Sequence, residues 1–248
     1  MMLPKVMRLT LLASLAFAPP ALAQGFSPEQ RREIVDVLRD ALRQDPNILR
    51  DALVALEEAD TNAKAGAQRA AITAQAAALF RNAEDPVKGN PQGAVTVVEF
   101  FDARCGYCKQ IHPAVEQLLR RQGDVRLVLK DLPILGPNSL LASRALLAAQ
   151  RQGKYAELYD TLMKLREEPA EPVLKREAER LGLDWARLRR DMDDPAIARR
   201  LEANTRLAGA LRIEGTPALI IGDTLVPGAV DLATLERLVA EAREKRGG

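Results

Sequence analysis

The chain has 248 residues, of which 47% are hydrophobic, enough to bury the core of one large domain or of a domain with an extension. The formal net charge is only +2, and the arginines between positions 187 and 200 alternate with aspartates, as is typical of solvated helix faces. These features argue against a disordered chain and against a nucleic-acid-binding surface.

Residues 1–23 have the pattern of a secretory signal peptide. Lys5 and Arg8 give a positive start, an apolar stretch follows, and Ala21-Leu22-Ala23 has the small residues of a cleavage site. The apolar stretch is far shorter than the roughly 20 residues that span a membrane. We therefore expect an exported protein whose mature chain begins at Gln24.

Residues 24–82 are predicted to form a helical amino-terminal segment. The first helix is predicted to begin at Ser27-Pro28-Glu29-Gln30, which has a capping serine, a proline in the first turn and a glutamine at the third position. A second helix is predicted to begin at Asp45-Pro46, with aspartate as its cap and proline in its first turn. The apolar positions of the two helices are Ile34, Leu38, Ala41, Leu42, Ile48, Leu49, Leu53 and Leu56. A narrow stripe on a helical arm cannot bury itself, so it packs either on its own domain or on copies of itself, and we favour self-association.

A second domain is predicted over residues 83–248, because turn formers cluster between 85 and 93. The β-branched and aromatic run 94–101 is typical of a strand buried on both faces. A helix at 105–122 and a strand at 125–129 complete a β-α-β unit.

The rest of the chain has helical periodicity over about 138–209, which indicates an inserted helical block. A β-hairpin pattern follows at 218–226, and Asp231 caps a closing helix. The predicted fold class is therefore α/β.

Cys105 and Cys108, the only cysteines, flank Gly106-Tyr107 where a helix begins directly after a strand. A helix amino terminus stabilises an anion, so we expect the pKa of the Cys105 thiol to be low. Cys108, one turn inside the helix, is then the resolving thiol. A haem site needs histidine where Lys109 stands, and a zinc site needs about four ligands. The motif predicts redox chemistry without a cofactor.

Two further residues leave alternatives open. His112 lies on the helix face of both cysteines, so a copper site formed by Cys105, Cys108 and His112 is an alternative function of another class. Glu99 is charged within an apolar strand. A buried carboxylate there relays protons, with Lys130 as its partner, whereas a carboxylate on a solvated face has no such role.

Three segments resemble the DsbA family of periplasmic thiol:disulfide oxidoreductases: Phe100–Lys109, Lys130–Gly136 and Gly215–Pro217. The resemblance extends from about Leu79 to Arg246. It implies a thioredoxin fold interrupted by a helical domain, with Thr216-Pro217 as a cis-proline loop that shapes the substrate groove beside Cys105.

The resemblance also implies roles and partners. The family acid that matches Glu99 accepts the proton of the resolving thiol, and Tyr107 tunes the redox potential. Strong oxidants of the family carry Pro-His in place of Gly106-Tyr107, which favours an isomerase or reductase over a disulfide-donating oxidase. The implied substrates are unfolded or mispaired exported proteins, and a membrane redox partner resets the cysteine pair.

The amino-terminal segment is similar to that of the suppressor of copper sensitivity branch of this family, in which some members oligomerise. This similarity implies a homo-oligomer, with a trimer as the expected form, and a link to copper tolerance.

Overall fold

A computed structural model describes residues 26–247, and the predicted signal peptide lies outside them. The chain divides into two units, between Asp60 and Thr61. This division differs from the predicted boundary at residue 83, because Ile72 and Leu79 are buried in a core of the second unit. No helix within residues 26–247 has the length and apolar character needed to cross a membrane.

The first unit contains α1 (Pro28–Gln44) and the beginning of α2 (Asn47–Ala74). The predicted capping box is confirmed: the Gln30 amide donates to Ser27 Oγ at 3.2 Å, and the Ser27 amide donates to Gln30 Oε1 at 2.9 Å. The second predicted start is also confirmed, since Asp45 accepts a hydrogen bond from the Asn47 amide at 3.0 Å. No described residue of α1 is buried.

The second unit continues α2 and adds α3 (Ala76–Phe80), β1 (Val87–Gly89), β2 (Val95–Phe101), α4 (Gly106–Arg121) and β3 (Val125–Asp131). Five helices follow: α5 (Pro137–Gln150), α6 (Tyr155–Lys164), α7 (Glu171–Arg180), α8 (Trp185–Met192) and α9 (Pro195–Ala210). The chain then forms β4 (Ala218–Ile221), β5 (Thr224–Pro227) and α10 (Leu232–Gly247). The predicted β-α-β unit, helical insertion, hairpin and closing helix are therefore all present.

The strands form one mixed sheet in the order β1-β3-β2-β4-β5. β2 and β3 are parallel, and every other neighbouring pair is antiparallel. Strand β1 was not predicted, because three residues between turn formers give too short a pattern to recognise. It pairs with β3 at the edge of the sheet.

The central strand β2 is buried on both faces, as predicted. Val97 and Phe101 face a core shared with α4, α5, α6 and α10, whereas Val98 and Phe100 face a second core that contains Leu79. Successive side chains of a strand point to opposite faces, so Glu99 lies on the face of Val97 and Phe101. This alternation decides which residues can reach the cysteines.

Candidate active site

The two cysteines lie where β2 leads into α4. Cys105 is the N-cap of α4 and Cys108 lies in its first turn, and both are free thiols. Cys105 is 7% exposed and Cys108 is fully buried. Of the two sulfur atoms, therefore, only that of Cys105 is accessible to attack a substrate.

The two thiols have opposite pKa shifts. The pKa of Cys105 is lowered to about 5, chiefly because the Cys108 thiol donates a hydrogen bond to the Cys105 sulfur. Thr216 and the backbone amides of Cys108 and Tyr107 lower it further, and burial opposes them. The pKa of Cys108 is raised well above its usual range by the same hydrogen bond and by burial. At neutral pH, Cys105 is a thiolate and Cys108 keeps its proton.

The loop before β4 closes the site from the other side. The Thr216-Pro217 peptide bond is cis, and the Cys105 sulfur lies 3.1 Å from the Thr216 carbonyl oxygen. A groove of about 440 Å³ lies along this loop, lined by Glu214, Thr216, Pro217, Leu225 and neighbours. The structure thus places the predicted cis-proline loop against the reactive sulfur.

Gly106 and Tyr107 occupy the first turn of α4 between the cysteines. Tyr107 is 65% exposed, so its ring is available to a bound partner. A β-carbon on Gly106 would meet no atom within 4 Å, so the glycine is not required by packing.

Glu99 is fully buried, which rules out a solvated strand face. Burial raises the pKa of its carboxyl group to about 7. The Tyr159 hydroxyl donates to Glu99 Oε2 at 3.0 Å and, with the charge of Lys88, limits that rise. The Glu99 charge in turn contributes to the raised pKa of Cys108, after the bond to Cys105 and burial. Glu99 is therefore electrostatically coupled to the resolving thiol.

Lys130 is not the partner of Glu99, so this prediction is wrong. The register pairs Glu99 with Leu129 and Phe100 with Lys130, which places Lys130 on the opposite face of the sheet. There Lys130 forms a buried ion pair with Asp85 and donates to the Ala78 carbonyl oxygen at 2.8 Å. Its role in this structure is to hold the second core together.

Two tyrosines of the inserted block were missed as partners of buried acids. Tyr155 donates to Asp131 at 2.7 Å, as Tyr159 does to Glu99, and the two rings stack with centroids 6.5 Å apart. Their i, i+4 spacing in the insertion was an available signal, because a buried tyrosine hydroxyl needs a partner. The identity of each partner depends on tertiary packing.

Asp102 was also missed. Its buried carboxylate accepts hydrogen bonds from the backbone amides of Arg104 at 2.8 Å, Ile134 at 2.9 Å and Leu135 at 3.0 Å. Asp102 therefore fixes the segment before Cys105 to the loop that follows β3. Its position between a buried strand and the cysteine motif was the signal.

His112 is not grouped with the two cysteines as a set of metal ligands. Within the described residues, the ligand atoms close enough to share an ion belong to His112, Glu116 and Asp160. Cys105 precedes His112 by seven residues, about 10 Å of helix rise, so these two side chains lie too far apart to bind one ion. The predicted copper cluster of Cys105, Cys108 and His112 therefore gains no support from this geometry.

A sequence profile of the DsbA-like thioredoxin domain matches residues 96–240, which include both cysteines, Glu99 and Pro217. The chain belongs to the DsbA-like thioredoxin domain family. Membership confirms the predicted thioredoxin fold and places the chain among thiol:disulfide oxidoreductases.

Solved structures of DsbA-like proteins superpose on the chain. A thioredoxin-like oxidoreductase from Silicibacter pomeroyi DSS-3 is 41% identical, with a TM-score of 0.66, and the match covers 68% of this chain and 97% of that one. ScsC from Proteus mirabilis, in a transitional conformation, is 30% identical with a TM-score of 0.65, and the match covers 89% and 98%.

Among curated proteins, the chain is similar to the Na(+)/H(+) antiporter NhaA 3 of Salinispora tropica, at 34% identity over 160 residues. The match covers 64% of this chain and 24% of the antiporter, so the chain spans about a quarter of that relative's length. The word antiporter describes the Salinispora tropica protein and is not carried over to this chain.

Proposed function

We propose that the chain exchanges disulfides with unfolded or mispaired exported proteins in the bacterial periplasm, as an isomerase or reductase. The main support for this proposal is the contrast between a Cys105 thiolate beside the cis-proline loop and a protonated, buried Cys108. This contrast supports an attacking role for Cys105 and a resolving role for Cys108.

The reaction begins when the Cys105 thiolate attacks one sulfur of a substrate disulfide. The S–S bond breaks, a mixed disulfide forms and the other substrate sulfur leaves as a thiolate. For isomerisation, a second substrate thiolate attacks the mixed disulfide and returns Cys105 unchanged. For reduction, Cys108 loses its proton and attacks the Cys105 sulfur, which closes the Cys105–Cys108 disulfide and leaves the substrate with two thiols.

Glu99 accepts the Cys108 proton in the reductive branch. A base is most effective when its pKa lies near the working pH, and the Glu99 pKa of about 7 meets this condition. An extended substrate segment pairs with the backbone at Thr216, so that its disulfide lies across from Cys105.

The Cys105 pKa indicates a reduction potential between those of strong oxidants and of reductants, and the preference for isomerase or reductase rests on Gly106-Tyr107. A value of about 5 lies between those of strong oxidants, about 3.5, and of reductants of the thioredoxin type, about 7. The stability of the thiolate contributes to the reduction potential, so we expect an intermediate potential. A membrane redox partner then keeps the pair reduced.

The test uses two substrates, scrambled ribonuclease and reduced ribonuclease. We expect reactivation of the scrambled form by the reduced protein, and little oxidation of the reduced form. Cys105→Ser should abolish the activity, whereas Cys108→Ser should retain part of the isomerase activity and lose the reductase activity. Activity confined to reduced ribonuclease would identify a disulfide donor instead.

We further propose that the chain forms a homo-oligomer, a trimer, through the first unit. The large apolar side chains there are about half exposed: Ile34 is 47%, Leu38 56%, Leu49 55% and Leu53 51% exposed. Exposed apolar surface of this extent on amphipathic helices is typical of an association surface.

Light scattering at micromolar concentration measures this association. Leu49→Glu should give a monomer, and Glu57→Gln, on the same helix, should leave the assembly intact. A monomeric parent protein would contradict the proposal.

A further inference from the structure

His112 is an unexplained buried group. Its side chain is 2% exposed, and within the described residues neither ring nitrogen has a hydrogen-bond partner. Most buried polar atoms are hydrogen-bonded, so an imidazole with both nitrogens unpartnered requires a physical reason. The disulfide exchange described above makes no use of His112.

Two carboxylates face this imidazole. Glu116 lies four residues further along α4, hence on the same helix face, and Asp160 comes from α6. One ligand atom from each of the three residues lies within 4.8 Å of the others, and His112 Nε2 is 3.6 Å from Asp160 Oδ1. An imidazole and two carboxylates are ligand types that bind divalent transition metals.

The cluster already holds a positive charge. The ammonium group of Lys88 bonds to Glu116 at 2.7 Å and also contacts Asp160. Lys88 lies on the edge strand β1, and its Nζ is 5.2 Å from the centre of the Tyr159 ring. It satisfies the two carboxylates but leaves the His112 nitrogens unpartnered.

The cluster can be reached from solvent. A surface groove of about 440 Å³ is lined by Lys109, His112, Glu116, Met163 and neighbours. Two ligands of a tetrahedral zinc ion lie about 3.4 Å apart, given metal–ligand distances of roughly 2.1 Å. Small side-chain movements are therefore enough to bring the three ligand atoms to a common ion, once Lys88 swings aside.

We propose that His112, Glu116 and Asp160 bind one divalent transition-metal ion, of which zinc is the representative, in competition with the ammonium group of Lys88. The site contains no sulfur and is separate from Cys105 and Cys108. The ion would satisfy the His112 nitrogen that faces Asp160 and replace Lys88 between the two carboxylates.

Calorimetric titration of the full chain with zinc chloride tests the proposal. The protein is free of any histidine tag and oxidised, so that the cysteines form a disulfide and cannot bind the ion. We expect one zinc ion per chain. His112→Gln and Asp160→Asn should each weaken binding at least tenfold, and Asp223→Asn, a carboxylate in the β4–β5 turn, should leave it unchanged. Lys88→Met should strengthen binding at least tenfold.

Cobalt provides a second measurement. Co²⁺ bound to nitrogen and oxygen ligands gives visible absorption bands without the near-ultraviolet band of sulfur coordination. Circular dichroism verifies that each variant is folded. If His112→Gln does not fold, Asp160→Asn alone tests whether the ligands are needed for zinc binding. The proposal is overturned if neither the parent protein nor Lys88→Met binds zinc. It is equally overturned if binding persists in both folded ligand variants.

Discussion

Replacing Cys108 with alanine should raise the pKa of Cys105. The Cys108 thiol is the largest cause of the low value of about 5, ahead of Thr216 and the helix amides. A hydrogen bond to a charged group contributes about 1.5–3 kcal/mol, which corresponds to about one to two pKa units. The Cys105 pKa in Cys108→Ala should therefore lie at about 6–7.

The assay is the rate of alkylation by iodoacetamide as a function of pH. At pH 6, a thiol of pKa 5 is about 90% ionised, and one of pKa 7 about 10% ionised. A more basic thiolate is also more nucleophilic, so the midpoint of the profile, rather than the rate at one pH, is the quantity to compare.

Cys108→Ser is the matched control, because its hydroxyl can still donate to the Cys105 sulfur. We expect the midpoint of this variant to stay closer to that of the parent. An unchanged midpoint in Cys108→Ala would show that the hydrogen bond between the thiols contributes nothing and that the helix amides account for the acidity. A Cys105 no more reactive than free cysteine in the parent protein would refute the whole mechanism.

Three other substitutions test the remaining parts of the site. Glu99 has a folded-state pKa raised from 4.5 to about 7, so it should lower the unfolding free energy by about 3 kcal/mol as pH rises through this window. In pH-dependent denaturation, Glu99→Gln should remove this contribution and leave the similar one of Asp131, whose pKa is also raised to about 7. Tyr159→Phe should raise the Glu99 pKa further, so that the pH profile of Cys108-dependent reduction shifts upward while the rate of Cys105 alkylation does not. Lys130→Met should destabilise the protein by about 3–5 kcal/mol, because it leaves Asp85 buried and unpaired. The exchange rate per folded molecule should not change. In chemical denaturation, the double variant Lys130→Met with Asp85→Asn should regain part of the lost stability. A slower exchange rate in folded Lys130→Met would show that Lys130 takes part in catalysis, contrary to its position on the opposite face of the sheet.

Features encoded locally were predictable from the sequence. The capping box at Ser27, the strand that ends before Asp102 and the cysteine pair at the start of α4 each depend on a few neighbouring residues. The pairing of Glu99 was not predictable, because a difference of one position in strand register moves a side chain to the other face of the sheet. Lys130 shows this effect: it follows Leu129, the residue that pairs with Glu99, and therefore lies on the opposite face of the sheet.

Partners that come from distant segments were also beyond sequence reasoning. Tyr159 reaches Glu99 across 60 residues of chain, and Lys88 belongs to a strand of three residues. The division between Asp60 and Thr61 falls inside one continuous helix, where no turn-forming residue marks it.

The helix α6 links the insertion to the chemistry of the thioredoxin domain. Both acids that its tyrosines contact, Glu99 and Asp131, are buried and have pKa values raised to about 7 by that burial. The insertion is consequently not an interchangeable module. A chimera that received the helical block of a relative without these tyrosines would keep the strand order and the cysteine pair, yet its acids would titrate elsewhere and its working pH range would move with them.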